Sequence, residues 1–436
     1  MDLVHIDPEI LLRWNRAVPR YTSYPTAPQF GAIGEEVARE RIEMLGKTDR
    51  PLSIYIHIPF CKTMCLFCGC SVILNRKPER QAAYLELLLR EIEMIELEGR
   101  EVTQLHLGGG TPTSLTEEEM ERLMGALRRK FRLTGEIAIE VDPRTAGTKL
   151  DALRRLGFNR ISFGVQDLDP HVQEAVRRRQ SEAMTVETYE RARKLGFEGI
   201  NIDLIYGLPL QTPETFRRTA GRIIELRPDR ISFFSYAKVP WLKEHQKAIR
   251  EEDLPSDAEK FQIYVEARVA FMQAGYRPIG MDHFALETDE LFRGKLYRNF
   301  QGYSVQKAED LLGLGVTAIG FMQGAFLQNV KTIEEYRARI ERGLLPVYRG
   351  YVLKREDEIR RWIIGELMCR FAVDKREFEE KFGAPLDRYC NRKLDPELVE
   401  ETDDFIRATP IGRLFIRITA AAFDQYLEQG RYSRAI

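Results

Sequence analysis

The chain has 436 residues, too many for one small domain and enough to bury a large core, so two or three structural units are expected. Its 66 Lys and Arg against 67 Asp and Glu leave a formal net charge of −1, which argues against a protein dominated by binding to nucleic acid or a membrane surface. The longest apolar runs are strand-sized and Met1-Asp2-Leu3-Val4-His5 lacks the regions of a signal peptide, so a soluble, cytoplasmic protein with reduced cysteines is expected.

In chain order, Pro19-Arg20-Tyr21-Thr22-Ser23-Tyr24-Pro25-Thr26 is too rich in aromatics and proline for a disordered tail. The first strand signal, Ser53-Ile54-Tyr55-Ile56-His57-Ile58-Pro59, runs into the loop Cys61-Lys62-Thr63-Met64-Cys65-Leu66-Phe67-Cys68-Gly69-Cys70. Next, Leu85, Leu88, Ile92 and Ile95 fall on one stripe of a helix that Gly99 ends. A strand over 103–107 enters the turn Gly108-Gly109-Gly110-Thr111-Pro112, and a capping box, Thr116 with Glu119, opens a helix whose Met120, Leu123 and Leu127 face inward. Strands follow at 136–141, 160–165, 199–205 and 230–236. Leu156-Gly157-Phe158 and Leu195-Gly196-Phe197 echo one another about one βα unit apart.

Six strands interleaved with helices imply a parallel sheet, doubly wound or curled as a full or partial barrel. Polar residues collect at the carboxyl ends of the strands, as in barrel enzymes. Leu254-Pro255-Ser256 opens a further helix that ends near Gly275, and the charged text from about Lys354 reads as a small helical domain. The division expected is an amino-terminal arm and helix over 1–50, a barrel over 51–250, a barrel extension with substrate-site segments over 251–353, and a helical domain over 354–436.

The cysteine loop carries the sharpest chemistry. Thiolates at C-x3-C-x2-C spacing, Cys61, Cys65 and Cys68, hold three irons of a [4Fe-4S] cube and leave the fourth open. An open iron can chelate the amino and carboxylate groups of S-adenosylmethionine (SAM), whose cleavage releases a 5'-deoxyadenosyl radical. The competing reading is a four-thiolate zinc site that includes Cys70, although structural zinc usually takes two separated cysteine pairs. Cys70 itself is equally well a plain thiol, and Cys369 and Cys390 read as core or surface thiols.

Glu140, Gln166 and Asp203, each at a strand end, suit ribose hydroxyls and an amino group, and the glycine turn suits close backbone approach to a ligand. Arg178 taken alone reads as a solvated helix charge, and His57, His106 and His283 fit satisfied core histidines and site residues alike. The arm and the segments Gly280-Met281-Asp282-His283-Phe284 and Tyr297-Arg298-Asn299-Phe300-Gln301-Gly302-Tyr303 interleave aromatic and cationic groups, text suited to a flat ligand with acidic edges. Loop packing is the equal alternative for this text; for a ligand that carries carboxylates, Arg20 and Arg298 are the leading cations and Lys238 a weaker one, and the arm can act as a lid.

These motifs, with Glu140-Val141-Asp142-Pro143, Gly164-Val165-Gln166-Asp167 and Asn201-Ile202-Asp203-Leu204-Ile205-Tyr206-Gly207-Leu208-Pro209, resemble the oxygen-independent coproporphyrinogen III oxidases from about residue 19 to the end. The resemblance implies a partial (β/α)6 TIM-like radical SAM barrel of the α/β class with a helical carboxyl-terminal domain. It implies oxidative decarboxylation of two propionates of coproporphyrinogen III to vinyl groups, giving protoporphyrinogen IX. Cys61, Cys65 and Cys68 would hold the cluster. Two SAM molecules would contact Tyr55, Phe67, Gly109, Gly110, Thr111, Glu140, Gln166, Arg178, Asp203, Ala237 and Ile319. An electron donor such as a flavodoxin is implied as the partner, and a monomer is expected. The alternatives are a radical SAM methyltransferase or ring-opening enzyme acting on haem, and a haem-binding chaperone without decarboxylation.

Overall fold

The computed structural model describes residues 8–305, 308–429 and 432–435. Strand and helix alternate as the periodicity predicts. Among the longer elements, β1 (Leu52–Ile58) precedes α1 (Pro78–Glu93), β2 (Arg100–Gly109), α2 (Glu117–Lys130), β3 (Phe131–Val141), β4 (Arg160–Gln166), α3 (Glu182–Lys194), β5 (Gly199–Tyr206), α4 (Pro213–Leu226) and β6 (Arg230–Ser235). The capping box of α2 forms as expected, with Thr116 Oγ1 accepting from the Glu119 N–H and the Glu119 carboxylate accepting from the Thr116 N–H. α1 stops short of its predicted end: the chain leaves the helix at Met94, while Ile95 and Leu97 stay buried in the following turn.

The chain divides into two compact units, each built from separated stretches. The first comprises Phe30–Asp203 and the described part of 306–352. Its centre is parallel: Tyr55 on β1 pairs with His106 on β2, His106 with Ala138 on β3, and Glu140 on β3 with Ser162 on β4. Leu52, Ile54, Ile56 and Ile58, on one face of β1, are at most 1% exposed, and Ser53 and His57 on the other face are 2% and 5% exposed, as befits a central strand covered on both faces. On the other edge of β1 lies β7 (Asp310–Leu314), also parallel, and β8 (Ile319–Met322), β9 (Ala325–Asn329) and β10 (Val347–Val352) extend the sheet antiparallel. These four strands are additional to the six read from the sequence. β8 and β9 join through Gln323 and Gly324, both at positive φ (45° and 76°), a two-residue hairpin turn that Asp310 fixes by accepting from the Gln323 N–H (2.7 Å) and Nε2 (2.8 Å).

The second unit takes the described parts of 1–29, 353–436 and Leu204–Val305. Here β6 pairs antiparallel with the strand His283–Leu286, which pairs with Tyr276–Ile279. α5 (Asp257–Gln273) starts at Ser256 as predicted, and α6 (Arg355–Arg370) carries the buried Cys369. The carboxyl-terminal segment is helical and adds a three-stranded antiparallel sheet, Ala372–Asp374, Phe405–Ala408 and Val399–Glu401. The arm is fastened rather than loose: Tyr21 and Tyr24 are 5% and 2% exposed, and the buried Arg417 donates to the carbonyls of Pro19 (2.9 Å), Val18 and Arg434 (2.7 Å). No helix among the described residues is long and apolar enough to cross a membrane.

Candidate active site

In the first unit the cysteine loop leaves β1 through Pro59 and returns at Ile73. The short strands Phe60–Cys61 and Ile73–Leu74 pair, the Ile73 N–H donates to the Pro59 carbonyl (2.7 Å), and the Asn75 N–H to the Cys61 carbonyl (2.9 Å), closing the loop at its base. Cys65 is buried, Cys61 and Cys68 are half-buried, and Cys70 is exposed. Burial pushes the Cys61 thiol up to about 11; the Thr111 hydroxyl, 3.3 Å from its sulfur, opposes this, and the neighbouring Cys68 and Cys65 add to it.

Two guanidinium groups meet the Cys65 sulfur: Arg144 Nη2 and Arg178 Nη1 each lie 3.7 Å away. Both are held by Asp142, at 2.6 Å and 3.4 Å. Burial opposes ionisation of Asp142, but Arg178 and Arg144 outweigh it and hold the carboxyl below its ordinary range. Arg178 also donates to the Gly164 carbonyl and is only 6% exposed. Its reading as a solvated helix charge is therefore corrected: it is a buried cation beside a thiol. Arg144 was not singled out by sequence reasoning, although Asp142-Pro143-Arg144 signals a capped helical turn directly after β3.

The strand ends bring together much of what the sequence nominated. Tyr55 stacks on His106 (6.0 Å, 21°), and its hydroxyl bonds His57 Nδ1 (3.0 Å), whose Nε2 reaches the Ser71 carbonyl (2.8 Å) in the cysteine loop. Glu140 accepts from the Gly109 N–H (3.2 Å) and pairs with His106 Nε2 (3.3 Å). Partial burial opposes ionisation, yet the His106 ring and the Gly109 N–H outweigh that and keep the carboxyl below its usual range. Asp203 accepts from Ser162 (3.1 Å) and Asn201 (2.7 Å). Gly109 and Gly110 have a steric duty of their own, because a Cβ at either would stand 2.6 Å from the His57 ring or the Pro59 backbone. Phe67 is half-buried in the cysteine loop, and Ile319 on β8 lies over Gly313, the β7 partner of Tyr55, where a Cβ would meet it at 2.8 Å.

Ala237, Arg20, Arg298 and Lys238 belong to the second unit. The Ala237 carbonyl accepts from Gln246 (3.3 Å), and Lys238 is engaged by Glu251 (2.6 Å). Arg20 pairs with Asp282 (2.5 Å), while Arg298 Nη1 donates to the carbonyls of Arg20 (2.7 Å) and Tyr21 (2.5 Å).

The donor set of the first unit fits a thiolate-held cluster and a polar ligand. Arg144 and Arg178 offset the negative charge of ligating sulfur. Gln166, at a left-handed φ of 72°, has its buried Oε1 without a protein partner, and Arg178 Nε is likewise buried and unpaired. No three His, Cys, Asp or Glu side chains among the described residues close on a single-ion site; a cube instead spreads its thiolates over separate irons.

The sequence profile of the Radical SAM superfamily matches residues 55–223, and that of the HemN C-terminal domain matches residues 353–415. The chain is 42% identical to the oxygen-independent coproporphyrinogen III oxidase of Escherichia coli K12 over 98% of both chains, and 41% identical to that of Pseudomonas aeruginosa over 100% of both. The solved structure of coproporphyrinogen III oxidase (HemN) from Escherichia coli, a radical SAM enzyme, superposes with a TM-score of 0.89 at 42% identity, covering 94% of this chain and 100% of that one. The α/β fold of a partial (β/α)6 radical SAM barrel, implied by the resemblance, is the fold of this chain. By sequence and structure together, the chain belongs to the oxygen-independent coproporphyrinogen III oxidase family of the radical SAM superfamily.

Proposed function

We propose that this chain converts coproporphyrinogen III to protoporphyrinogen IX without oxygen, as a radical SAM enzyme of haem biosynthesis. When bound, the [4Fe-4S] cluster supplies the electron that breaks the sulfonium of SAM. Cys61, Cys65 and Cys68 hold it, and Arg144 and Arg178 neutralise the charge at Cys65. Tyr55, Phe67, Gly109, Gly110, Thr111, Glu140, Gln166, Arg178 and Asp203 orient SAM, with Gln166 Oε1 and Arg178 Nε waiting for its polar groups. A second SAM matches the need to activate two propionates. Arg20 and Arg298 face the substrate acids. We further propose a cytoplasmic monomer reduced by a flavodoxin-like donor, with a functional division at residues 50, 250 and 353.

The observation that carries this reading is the Cys65 thiol set between two arginines that share one buried aspartate, in a loop closing on β1. The test is anaerobic cluster reconstitution followed by incubation with SAM, a reductant and either coproporphyrinogen III or haem. Protoporphyrinogen IX from the first is expected; turnover of haem alone would favour a methyltransferase or ring-opening activity, and binding of haem without turnover a chaperone.

A further inference from the structure

The second unit gathers more positive charge around Asp282 than that carboxylate balances. Arg20 donates to Asp282 Oδ2 (2.5 Å), and His283 Nδ1 meets Asp282 Oδ1 at 2.7 Å. Arg298 lies close enough to help hold the buried Asp282 carboxyl far below its ordinary range, after burial, which opposes this, and after the larger pulls of His283 and Arg20. Behind them, burial first and the Arg20 guanidinium next pull Arg417 down to about 9, with Arg298 adding to the effect. Arg298 Nε is buried with no acceptor. Such a group lacks an anion.

His283 is the member with a direction. Its ring is fixed edge-on between Phe234 (5.7 Å, 83°) and Tyr303 (5.2 Å, 77°), and its side chain keeps 12% of its surface open. A satisfied core histidine bonds through both nitrogens, as His57 does to Tyr55 and Ser71. His283 bonds only through Nδ1; among the described residues its Nε2 has no partner and faces Gly302, where a Cβ would stand 3.4 Å from it. Gly302 adopts φ +120°, a conformation that keeps a side chain out of this space. A buried carboxylate that fixes the inner nitrogen leaves the outer one oriented toward a ligand.

We propose that His283 is a substrate-binding residue whose ring, carrying both protons, donates through Nδ1 to Asp282 and through Nε2 to one propionate carboxylate of the porphyrinogen, with Arg298 and the Arg20–Asp282 pair completing an acid-recognising recess. This rests on the coproporphyrinogen reading. Asp282 then acts as a positioning residue, holding the imidazole by its inner nitrogen.

The test compares His283→Asn, whose amide nitrogen still reaches Asp282 but which lacks the outer nitrogen, with His283→Gln, which restores a donor near that place. In the reconstituted enzyme, His283→Asn should raise KM for coproporphyrinogen III about tenfold to a hundredfold, the weight of a charge-assisted hydrogen bond, and His283→Gln should recover part of it. Iron content and 5'-deoxyadenosine release without substrate should equal those of the wild type. An unchanged KM in His283→Asn overturns the proposal, and so does equal loss of iron or of uncoupled SAM cleavage in both variants, which would mark a packing role. If the wild type itself leaves coproporphyrinogen III untouched, the underlying functional reading falls instead.

Discussion

Single residues around the cysteine loop divide into those with partners and those waiting for one. Gln166 and Arg178 each keep a buried polar atom unpaired, whereas Tyr55, Glu140 and Asp203 are already held in place by neighbours. Replacing Glu140 or Gln166 by alanine should weaken SAM binding several-fold to about a hundredfold, since losing one hydrogen-bonding partner costs about 1 to 3 kcal/mol. Porphyrinogen affinity should hardly move, and titrating both ligands against each variant checks this; a drop confined to porphyrinogen contradicts the assignment. Motif residues at strand ends were legible because period-two patterning fixes where a strand stops. Arg144 and the burial of Arg178 were not, because an arginine, in a capped turn or in a charged run, reads the same whether it faces water or a thiol 3.7 Å away.

Elements depend on a few long side chains that tie distant stretches together. Arg417 grips the carbonyls of Val18, Pro19, Ser433 and Arg434, so the amino-terminal arm is held by a buried cation of the carboxyl-terminal segment. Arg417→Met should release it: limited proteolysis should cut near Pro19 faster, and decarboxylation should fall while cluster iron is retained. Unaltered proteolysis would show that the arm is held by its aromatic residues alone. In the first unit, Tyr84 on α1 donates to the His57 carbonyl (2.8 Å) and accepts from the Val316 N–H (3.0 Å), linking the end of β1 to the turn after β7. Tyr84→Phe should therefore lower stability by about 1 to 3 kcal/mol, read as a reduced Tm. The six interleaved strands and their helices were readable from apolar periodicity. β7 to β10 were not, since their text is broken by glycines whose use in tight packing and a hairpin turn shows only in three dimensions.

Across the whole chain, stability carries a pH signature from Glu91. This carboxylate is fully buried and accepts from Tyr336 (2.5 Å), Gly315 N–H (2.7 Å) and Asn329 (2.9 Å); burial nevertheless raises it to about 7. The unfolded chain releases this proton near pH 4.5, so the native state binds more protons in between, and the Glu91 contribution declines as pH rises from about 4.5 to about 7. Relative to Glu91→Gln, which does not titrate, the wild type should gain Tm on going from about pH 8 to about pH 5.5; a constant difference between the two would contradict this. How the chain divides into units was the least legible feature, because stretches separated by over a hundred residues share a sheet, as when β7 pairs with β1. The central claim remains local to one loop, and iron and sulfide content after anaerobic reconstitution tests it most directly. Cys61→Ala, Cys65→Ala and Cys68→Ala should each lose the about four irons of a cube, while Cys70→Ala keeps them; an equal fall in all four variants would contradict a cluster held by three thiolates.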